Sequence, residues 1–316
     1  MISIIIPNYN SEKTISICLT AIFYSSYRYW EIIVVDDCSN DNSIKIIEQF
    51  PIKLIRHSIN LKPSACRNNG ANIAKGEILL FIDSDVEIYP DTLLKIAENF
   101  KNKDIVALTG TSNREVTYPN LCSIHFNRRI NFNYQFLPDN VDIIYGALCA
   151  IKKDVFQQVF GFNEQLYGVE DSDIGYRISK LGKIYFDRTL IFNHHKDIKL
   201  LGLLKNDFKR TLCRLNFFSG DIISIIKNKR FLSSPFYQLI SPVIALLFFC
   251  SLWYSLLALF FFQIFLLINL KYILYNKDQG IVFMIKLFFL LLIDMFVVSI
   301  ALIYGFLKGK LVTAKP

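Results

Sequence analysis

The residues of this chain that most clearly indicate chemistry are Asp83 and Asp85, which are separated by Ser84. They follow Ile78–Ile82, an entirely apolar run that predicts a buried strand, so both carboxylates should emerge where that strand ends. Two carboxylates so close together repel each other unless a cation lies between them. Mn²⁺ and Mg²⁺ take oxygen ligands and often arrive with substrate phosphates. The pair therefore predicts chemistry on a diphosphate, and the alternative is a solvated acidic turn.

Two other polar loops follow the first two predicted strands. The loop from Pro7 to Asn10 follows the first strand, and its Tyr9 could stack on a nucleotide base. Asp36 and Asp37 follow the second strand, where a carboxylate can accept a hydrogen bond from a base N–H or a ribose hydroxyl. A plain turn and a helix N-cap are the respective alternatives. Because parallel strands end at one edge of a sheet, where ligands bind, the three loops predict one shared site.

Short β-rich runs alternate with helical stretches in the first half of the chain, which is typical of a parallel sheet wound with helices. The predicted strands are Ile2–Ile6, Glu31–Val35, Ile52–Ile55, Ile78–Ile82 and Ile105–Leu108. The predicted helices are Glu12–Tyr24, Ser43–Phe50, Ala65–Ala74 and Thr92–Phe100, with Ser64 expected to cap the third. Residues 110–140 are expected to form a loop-rich insert. Beyond it we expect a strand, two helices and two strands at Ile143–Ile151, Asp154–Phe160, Asp171–Leu181, Ile184–Phe186 and Leu190–Asn193.

Loops that would hold a phosphate with backbone groups are absent from the sequence. No GxGxxG pattern follows the first strand, and no GxxxxGK[ST] loop occurs. A diphosphate would therefore have to be held by a metal ion and side chains. The net charge of +8 is shared about equally between residues 239–316 and the much longer remainder. This distribution favours a basic rim at a lipid surface and predicts no nucleic-acid partner.

The C-terminal part of the chain is unusually apolar. Leu239 to Leu270 contains no charged side chain, and as one helix it would extend roughly 48 Å, beyond a bilayer core of about 30 Å. Two shorter helices joined near Cys250–Ser255 fit better than one long tilted span. Leu287 to Leu307 carries only Asp294 and is long enough for a further crossing. Residues 239–316 are therefore predicted to form two to three transmembrane helices.

Basic residues beside these segments predict their orientation. Lys227, Lys229 and Arg230 precede the first segment, which places the catalytic part of a multi-pass protein at the cytoplasmic face of the membrane. The later lysines leave open whether the number of spans is even or odd. We therefore expect a catalytic domain at 1–199, followed by an amphipathic linker on the membrane surface at 200–238.

Five motifs in roughly the first 195 residues resemble family 2 glycosyltransferases of the GT-A fold. In chain order they are ISIIIPNYN (Ile2–Asn10), EIIVVDDCS (Glu31–Ser39), ACRNNG (Ala65–Gly70), GEILLFIDSD (Gly76–Asp85) and GVEDSD (Gly168–Asp173). Each motif alone is weak, but together they are specific. The resemblance implies an α/β protein with a Rossmann-like, mostly parallel sheet, here followed by C-terminal transmembrane helices.

The resemblance also implies roles for individual residues at the donor site. Asp85 would be the main metal ligand, with Asp83 near the ribose or sugar, and the ion would be Mn²⁺ or Mg²⁺. Asp37 would hold the base. The residues placed around the donor are Pro7, Tyr9, Asp37, Arg67, Asp83 and Asp85. For Arg67 an ordinary cation on a helix surface is the alternative.

On the acceptor side the resemblance implies that Asp171 is the catalytic base and that Glu170 orients it. A carboxylate can act as a general base and accept the proton of the attacking hydroxyl group. For Asp173, helix capping is the alternative. A late histidine supplies a third metal ligand in some relatives, which makes His194 or His195 a candidate. At most one of them fits, because neighbours in an extended chain face opposite directions.

The expected function is transfer of a hexose, with inversion, from a nucleoside-diphosphate sugar to a lipid-linked or surface-glycan acceptor. The QxxRW signature of processive synthases is missing, which favours transfer of a single sugar. One alternative is a polyprenyl-phosphate hexose synthase, whose acceptor is the lipid phosphate itself. A second is a catalytically idle membrane scaffold built on the same fold.

Overall fold

The computed structural model describes residues 1–166, 168–217 and 237–313. The chain forms two compact units. The first comprises Met1–Thr117 and Leu137–Lys196, and the second comprises Tyr118–Phe136 and Asp197–Pro316. The predicted segments 1–199, 200–238 and 239–316 differ from this division chiefly because a piece of the middle of the chain belongs with the C-terminal helices.

The first unit is built on a nine-stranded sheet. Its strands are β1 Ile2–Asn8, β2 Trp30–Asp36, β3 Lys53–Arg56, β4 Ile78–Ile82, β5 Val86–Ile88, β6 Ile105–Ser112, β7 Asn140–Val141, β8 Leu148–Lys152 and β9 Lys183–His194. Their spatial order is β3-β2-β1-β4-β8-β6-β9-β5, and β7 pairs with β9. The mixed, mostly parallel sheet confirms the predicted fold class.

The central strands are rich in isoleucine and valine and are buried along nearly their whole length. Such continuous apolar runs suit a parallel sheet that is covered on both faces. β1 pairs in parallel with β2 and with β4, so the polar loops that follow these three strands leave the same edge of the sheet. β8 runs antiparallel to β4, with Ile82 opposite Leu148. The residues just before β8 therefore lie beside the acidic loop that follows β4.

Helices cover both faces of this sheet. They are α1 Ile15–Phe23, α2 Ser43–Ile47, α3 Lys62–Ile73, α4 Thr92–Asn99, α6 Lys153–Gln158 and α7 Glu170–Ile178. The predicted strands and helices of the first hundred residues are confirmed to within a few residues. The two late strands predicted at 184–186 and 190–193 form the single strand β9, whose pairing with β6 contains register shifts.

The prediction of a loop-rich insert at 110–140 is wrong. β6 extends to Ser112, and α5 spans Leu121–Tyr134 in the second unit. Asn120 caps this helix, since its side chain accepts a hydrogen bond from the N–H of Ser123 at 2.9 Å. The many polar residues of α5 resemble a solvated loop in sequence. Several of them are instead buried against other helices.

Among the residues that the structure describes, the second unit also contains four α-helices from the C-terminal part of the chain. They are α8 Leu200–Phe217, α9 Tyr237–Cys250, α10 Ser255–Tyr275 and α11 Ile281–Thr313. The prediction of a helix break near Cys250–Ser255 is confirmed, because a turn separates α9 from α10.

Residues 218–236 of the predicted linker, including Lys227, Lys229 and Arg230, lie outside the described residues. By length and composition, α10 and Ile281–Lys308 could each cross a membrane.

A buried ionic network explains the polar composition of α5. Arg129 donates to Asp207 of α8 at 2.7 Å and to Asp294 of α11 at 2.9 Å. Arg128 makes a bidentate pair with Asp278 at 2.8 and 2.9 Å. Buried charges persist in proteins when they are paired in this way. Asp294, the one acidic residue of the last apolar segment, is thereby neutralised.

Candidate active site

The loops that follow β1 and β2 are bound to each other by side chains. Asn8 Nδ2 donates to Asp36 Oδ1 at 2.6 Å. The N–H of Asn10 donates to Ser39 Oγ, and the N–H of Asn40 donates to Asn10 Oδ1, both at 2.9 Å. Asn10 has a left-handed backbone with φ of 50°. Asparagine adopts this conformation more readily than most residues. The hydrogen bonds between the two loops hold them together as one edge.

Two predicted donor residues lie on this edge. Pro7 is part of β1, opposite Val35 of β2. The ring of Tyr9 is 52% exposed just beyond the strand. An exposed aromatic ring on a fixed loop provides a flat apolar surface, which is what stacking on a base requires.

Asp37 is buried and holds the start of α3. Its Oδ1 lies 2.9 Å from His57 Nδ1 and accepts the N–H of Leu61 at 2.8 Å, while Oδ2 accepts the N–H of Lys62 at 2.8 Å. Burial alone would raise the pKa of Asp37, but these hydrogen bonds outweigh it and hold the pKa below its usual value. The prediction that Ser64 caps α3 is wrong. Asp37, which directly follows β2, instead accepts the N–H groups at the start of this helix. The thiol of Cys66 also makes a hydrogen bond to this carboxylate, which has about four acceptor positions.

Lys62 adopts a left-handed backbone with φ of 79°, a conformation that costs a residue with a side chain about 1–2 kcal/mol. The side chain is exposed, so nothing in the core depends on it. We therefore expect Lys62→Gly to stabilise the protein by about 1 kcal/mol, raising Tm by about 2 °C in a thermal scan. Lys62→Ala keeps a Cβ and hence the strain. An equal rise in Tm for the alanine variant would contradict this explanation.

The acidic loop after β4 meets the end of β9 in a cluster that suits a cation. One ligand atom each from Asp83, Asp85 and His194 lies within 4.8 Å of the others. His194 Nε2 is 3.2 Å from Asp85 Oδ1, and Lys196 Nζ contacts Asp85 Oδ2. Burial opposes ionisation of Asp85, yet Lys196 and His194 hold its pKa far below the usual range. Two carboxylates and an imidazole fit Mn²⁺ well and Mg²⁺ acceptably.

The two histidines of the predicted pair face different surroundings. His194 lies opposite Val86 in the β5–β9 ladder and contacts the acidic cluster. His195 Nε2 lies 3.0 Å from Glu87 Oε2, and its Nδ1 contacts Thr117 Oγ1. The structure therefore brings His194 to Asp83 and Asp85 and leaves His195 outside that cluster.

Arg67 is only 4% exposed, which excludes the alternative of an ordinary cation on a helix surface. Its Nη2 donates to Asp83 Oδ1 at 2.7 Å, and its guanidinium carbon lies 5.3 Å from the centre of the Phe162 ring. Burial acts to lower the pKa of Arg67, but Asp83 and Glu170 raise it. The buried Nε and Nη1 make no hydrogen bond to any described residue. Such orphaned donors are costly unless a ligand accepts from them.

The predicted catalytic pair opens α7. Asp171 Oδ1 accepts the N–H of Ser172 at 2.8 Å. Burial and the neighbouring Asp171 raise the pKa of Glu170, whose Oε2 finds no hydrogen-bond partner among the described residues. Asp173 instead makes an ion pair with Arg177 one turn along the helix. Asp173 therefore stabilises α7, whereas Glu170 and Asp171 remain available for a ligand.

Gly146 lies between Arg67 and Asp171. A Cβ added there would be 3.7 Å from Asp171 Oδ2 and 3.8 Å from Arg67 Nη2. Gly146 also accepts a hydrogen bond from Arg67 Nη2 at 3.4 Å through its carbonyl. The absence of a side chain keeps Asp171 and Arg67 open to the same space.

The contacts of that added Cβ are ordinary van der Waals distances, so Gly146→Ala should fold normally. Its methyl group would enter the space that Asp171 and Arg67 share, and we expect kcat/KM to fall about tenfold in a steady-state assay with Tm unchanged. Gly175 provides a contrast, because a Cβ there would lie 2.9 Å from the backbone of Ile143 and force α7 to move. Gly175→Ala should therefore lower Tm, whereas Gly146→Ala should lower kcat/KM without lowering Tm. Unaltered kcat/KM in Gly146→Ala would contradict this placement.

Three contacts of the site were not expected from the sequence. Lys196 contacts Asp85, His57 contacts Asp37, and Tyr145 contacts His194 through its hydroxyl at 3.2 Å. The position of Lys196 directly after the two histidines was the only available signal. His57 and Tyr145 lie in segments without a motif, and only the fold brings them to the site.

Comparison with known proteins places the chain in a family. The model of "Glycosyl transferase family 2" matches residues 3–160, which is half of the chain. The chain belongs to glycosyl transferase family 2. Among its relatives, this family 2 glycosyltransferase is 39% identical over 127 residues to the poly(ribitol-phosphate) beta-glucosyltransferase of Bacillus spizizenii. That match covers 36% of the chain and 20% of the relative.

A second relative is the Escherichia coli enzyme WfgD, named as a UDP-Glc:alpha-D-GlcNAc-diphosphoundecaprenol beta-1,3-glucosyltransferase. It is 36% identical over 88 residues, covering 27% of this chain and 35% of WfgD. The chain thus spans about a third or less of the length of these two relatives. Among solved structures, the Pyrobaculum calidifontis mannosyltransferase PcManGT, in complex with GDP-Man and Mn²⁺, superimposes with a TM-score of 0.62 at 16% identity. That match covers 95% of this chain and 86% of PcManGT, and it confirms the GT-A fold.

Proposed function

We propose that this glycosyltransferase moves a hexose, with inversion, from a nucleoside-diphosphate sugar to a hydroxyl of a lipid-linked or cell-surface glycan at the cytoplasmic face of a membrane. The observation that carries the proposal is the position of Arg67, a buried arginine with orphaned donors. It pairs with Asp83 of a cluster that could hold a cation, and it lies near Asp171 of α7 across Gly146. A membrane scaffold would have no use for such an arrangement, because unsatisfied buried polar groups destabilise a protein.

The donor base is proposed to lie against Asp37 and Tyr9. The lowered pKa of Asp37 keeps its carboxylate ionised, so it can only accept hydrogen bonds. As an acceptor it suits a ring N–H, which uracil and guanine carry and which cytosine and adenine lack at the corresponding nitrogen. The names of WfgD, with UDP-Glc, and of the PcManGT complex, with GDP-Man, support these two bases.

The diphosphate is proposed to lie over the acidic loop. Asp83, Asp85 and His194 would hold Mn²⁺ or Mg²⁺, which when bound would neutralise charge on the departing nucleoside diphosphate. Arg67 keeps Asp83 in place through their 2.7 Å ion pair. The two orphaned donors of Arg67 are suited to oxygens of the sugar or the phosphate.

Asp171 is proposed to act as the general base. Its Oδ2 takes the proton of the acceptor hydroxyl while the hydroxyl oxygen forms a bond to the anomeric carbon. The bond from that carbon to the diphosphate oxygen breaks, and the nucleoside diphosphate leaves with the electron pair. Attack from the side opposite the leaving group inverts the anomeric centre. Glu170 is a positioning residue that lies beside Asp171 and Arg67.

Membrane anchoring is supported by the helices of the second unit. Only 22% of the apolar window in α10 and 39% of that in Ile281–Lys308 is buried, whereas the core helix of a soluble protein would be mostly covered. Trp253 and Tyr254, in the turn between α9 and α10, are 94% and 69% exposed. Aromatic residues at a helix end are typical of a membrane interface. An anchored enzyme suits an acceptor that stays in the bilayer.

The experiment that tests this proposal uses membranes containing the full chain. They are incubated with Mn²⁺ and a panel of radiolabelled UDP- and GDP-sugars, together with an undecaprenyl-diphosphate-linked sugar as acceptor. We expect label from one sugar to enter the lipid extract, and the product to have the anomeric configuration opposite to that of the donor. Absence of transfer from every donor, or retention of configuration, would overturn the proposal.

A further inference from the structure

The contact between Lys196 and Asp85 has a consequence for how the cation binds. Lys196 Nζ contacts Asp85 Oδ2, an oxygen of the carboxylate assigned to the metal. The backbone fixes this approach, since Asp85 O accepts the N–H of His195 at 2.7 Å and His194 O accepts the N–H of Lys196 at 2.9 Å. The contact therefore follows from how β9 ends beside the acidic loop.

We propose that the Lys196 ammonium and the divalent cation compete for Asp85, and that the displaced ammonium binds the diphosphate held by that cation. The proposal rests on the proposed function, because it takes Asp85 as the metal ligand. A divalent cation on Asp85 repels an ammonium group on the same carboxylate. Lysine is suited to moving away, because its charge sits on a flexible four-carbon stem.

The exposure of these groups supports a movable side chain. Lys196 is 37% exposed, whereas Asp85 is 17% and His194 is 4% exposed. The carboxylate and the imidazole are thus fixed among other groups, while the ammonium lies at the solvent side of the cluster. A diphosphate that binds at that side would therefore lie next to the positively charged Lys196 ammonium. Asp85 would by then be neutralised by the divalent cation and would no longer bind the ammonium.

This exchange couples the two ligands. Without a nucleotide, the cation has to displace an ammonium group and should bind weakly. With a diphosphate present, the ammonium gains a new partner, and the cation should bind more tightly. Coupling is reciprocal, so the cation must raise the affinity for the nucleotide by the same factor. Lys196 would make the enzyme bind the cation and the donor together.

The test measures Mn²⁺ affinity of the full chain in detergent by titration calorimetry and electron paramagnetic resonance, with and without UDP or GDP. Lys196→Met should raise the affinity for Mn²⁺ alone about tenfold. It should also reduce the factor by which the nucleotide strengthens Mn²⁺ binding about tenfold. Lys196→Arg keeps a cation and should resemble the wild type on both counts. The matched control is Lys95→Met, since Lys95 is 35% exposed and pairs with Asp91 at 2.8 Å outside the site.

Asp85→Asn separates the failure of this inference from the failure of the proposed function. If Asp85→Asn loses Mn²⁺ and Lys196→Met binds it as the wild type does, the exchange is wrong and the metal site stands. If Asp85→Asn binds Mn²⁺ like the wild type, the metal site itself is wrong, and the exchange falls with it. Equal coupling in Lys196→Met and Lys95→Met would also overturn the exchange. A Lys196→Met protein that fails to fold is replaced by Lys196→Gln, for which the same results are expected.

Discussion

Replacing Asp171 by asparagine is expected to lower kcat about 10³-fold while leaving the KM for the donor almost unchanged. Asparagine is nearly the same size but cannot take a proton, and general bases typically contribute about 10²- to 10⁴-fold. The donor would still bind, because its proposed contacts come from the loops after β1, β2 and β4, from Arg67 and from the cation site, and not from Asp171. Steady-state kinetics with a saturating acceptor would measure both constants.

The first turn of α7 offers a matched control for this substitution. Asp173 makes an ion pair with Arg177, so Asp173→Asn should lower Tm slightly and change kcat only a few-fold. Near-full activity of Asp171→Asn would contradict its role as a base. That outcome would favour a polyprenyl-phosphate acceptor, because an ionised phosphate has no proton to lose.

Replacing Asp85 by asparagine is expected to remove metal-dependent turnover, with a loss of about 10³-fold or more in kcat/KM. A loss of this size corresponds to about 4 kcal/mol of transition-state stabilisation, which is what one cation at a departing diphosphate can supply. The measurement is the rate of sugar transfer as Mn²⁺ is titrated. Adding more Mn²⁺ should restore little activity, because asparagine offers a neutral ligand in place of a charged one.

The histidine pair provides the control for this second prediction. His194 belongs to the acidic cluster, whereas His195 contacts Glu87 and Thr117. His194→Gln should therefore raise the Mn²⁺ concentration needed for half-maximal activity, and His195→Gln should leave it close to the wild-type value. Activity of Asp85→Asn that equals the wild type at every Mn²⁺ concentration would contradict the assignment of the metal site.

The parts of the site that could be predicted from the sequence depend on local pattern. The apolar run Ile78–Ile82 predicted a buried strand, which the structure has, and a strand's end fixes where Asp83 and Asp85 emerge. The apolar run of β2 likewise predicted that Asp37 would lie just beyond the end of a strand. The alternation of neighbouring side chains also predicted that only one of two adjacent histidines could reach the cluster, and His194 is that residue.

The parts that could not be predicted depend on partners distant in sequence. The polar composition of α5 predicted a loop because Asp207 and Asp294, which neutralise Arg129, lie far along the chain. Asp37 was expected to hold the base. Its contacts with the start of α3 could not be predicted, and a local cap at Ser64 had been expected there instead. The contact of Lys196 with Asp85 likewise exists only because β9 pairs with β5.

The most direct test of the central claim is pulsed electron–nuclear double resonance of Mn²⁺ bound to the full chain with UDP or GDP. The claim predicts ³¹P couplings from the diphosphate and a ¹⁴N coupling from one imidazole on the same ion. The ¹⁴N coupling should vanish in His194→Gln and persist in His195→Gln, and Asp85→Asn should lose the bound ion. A bound Mn²⁺ that shows no ³¹P coupling, or whose signals are unchanged in Asp85→Asn, would contradict the claim that this acidic cluster holds a donor diphosphate.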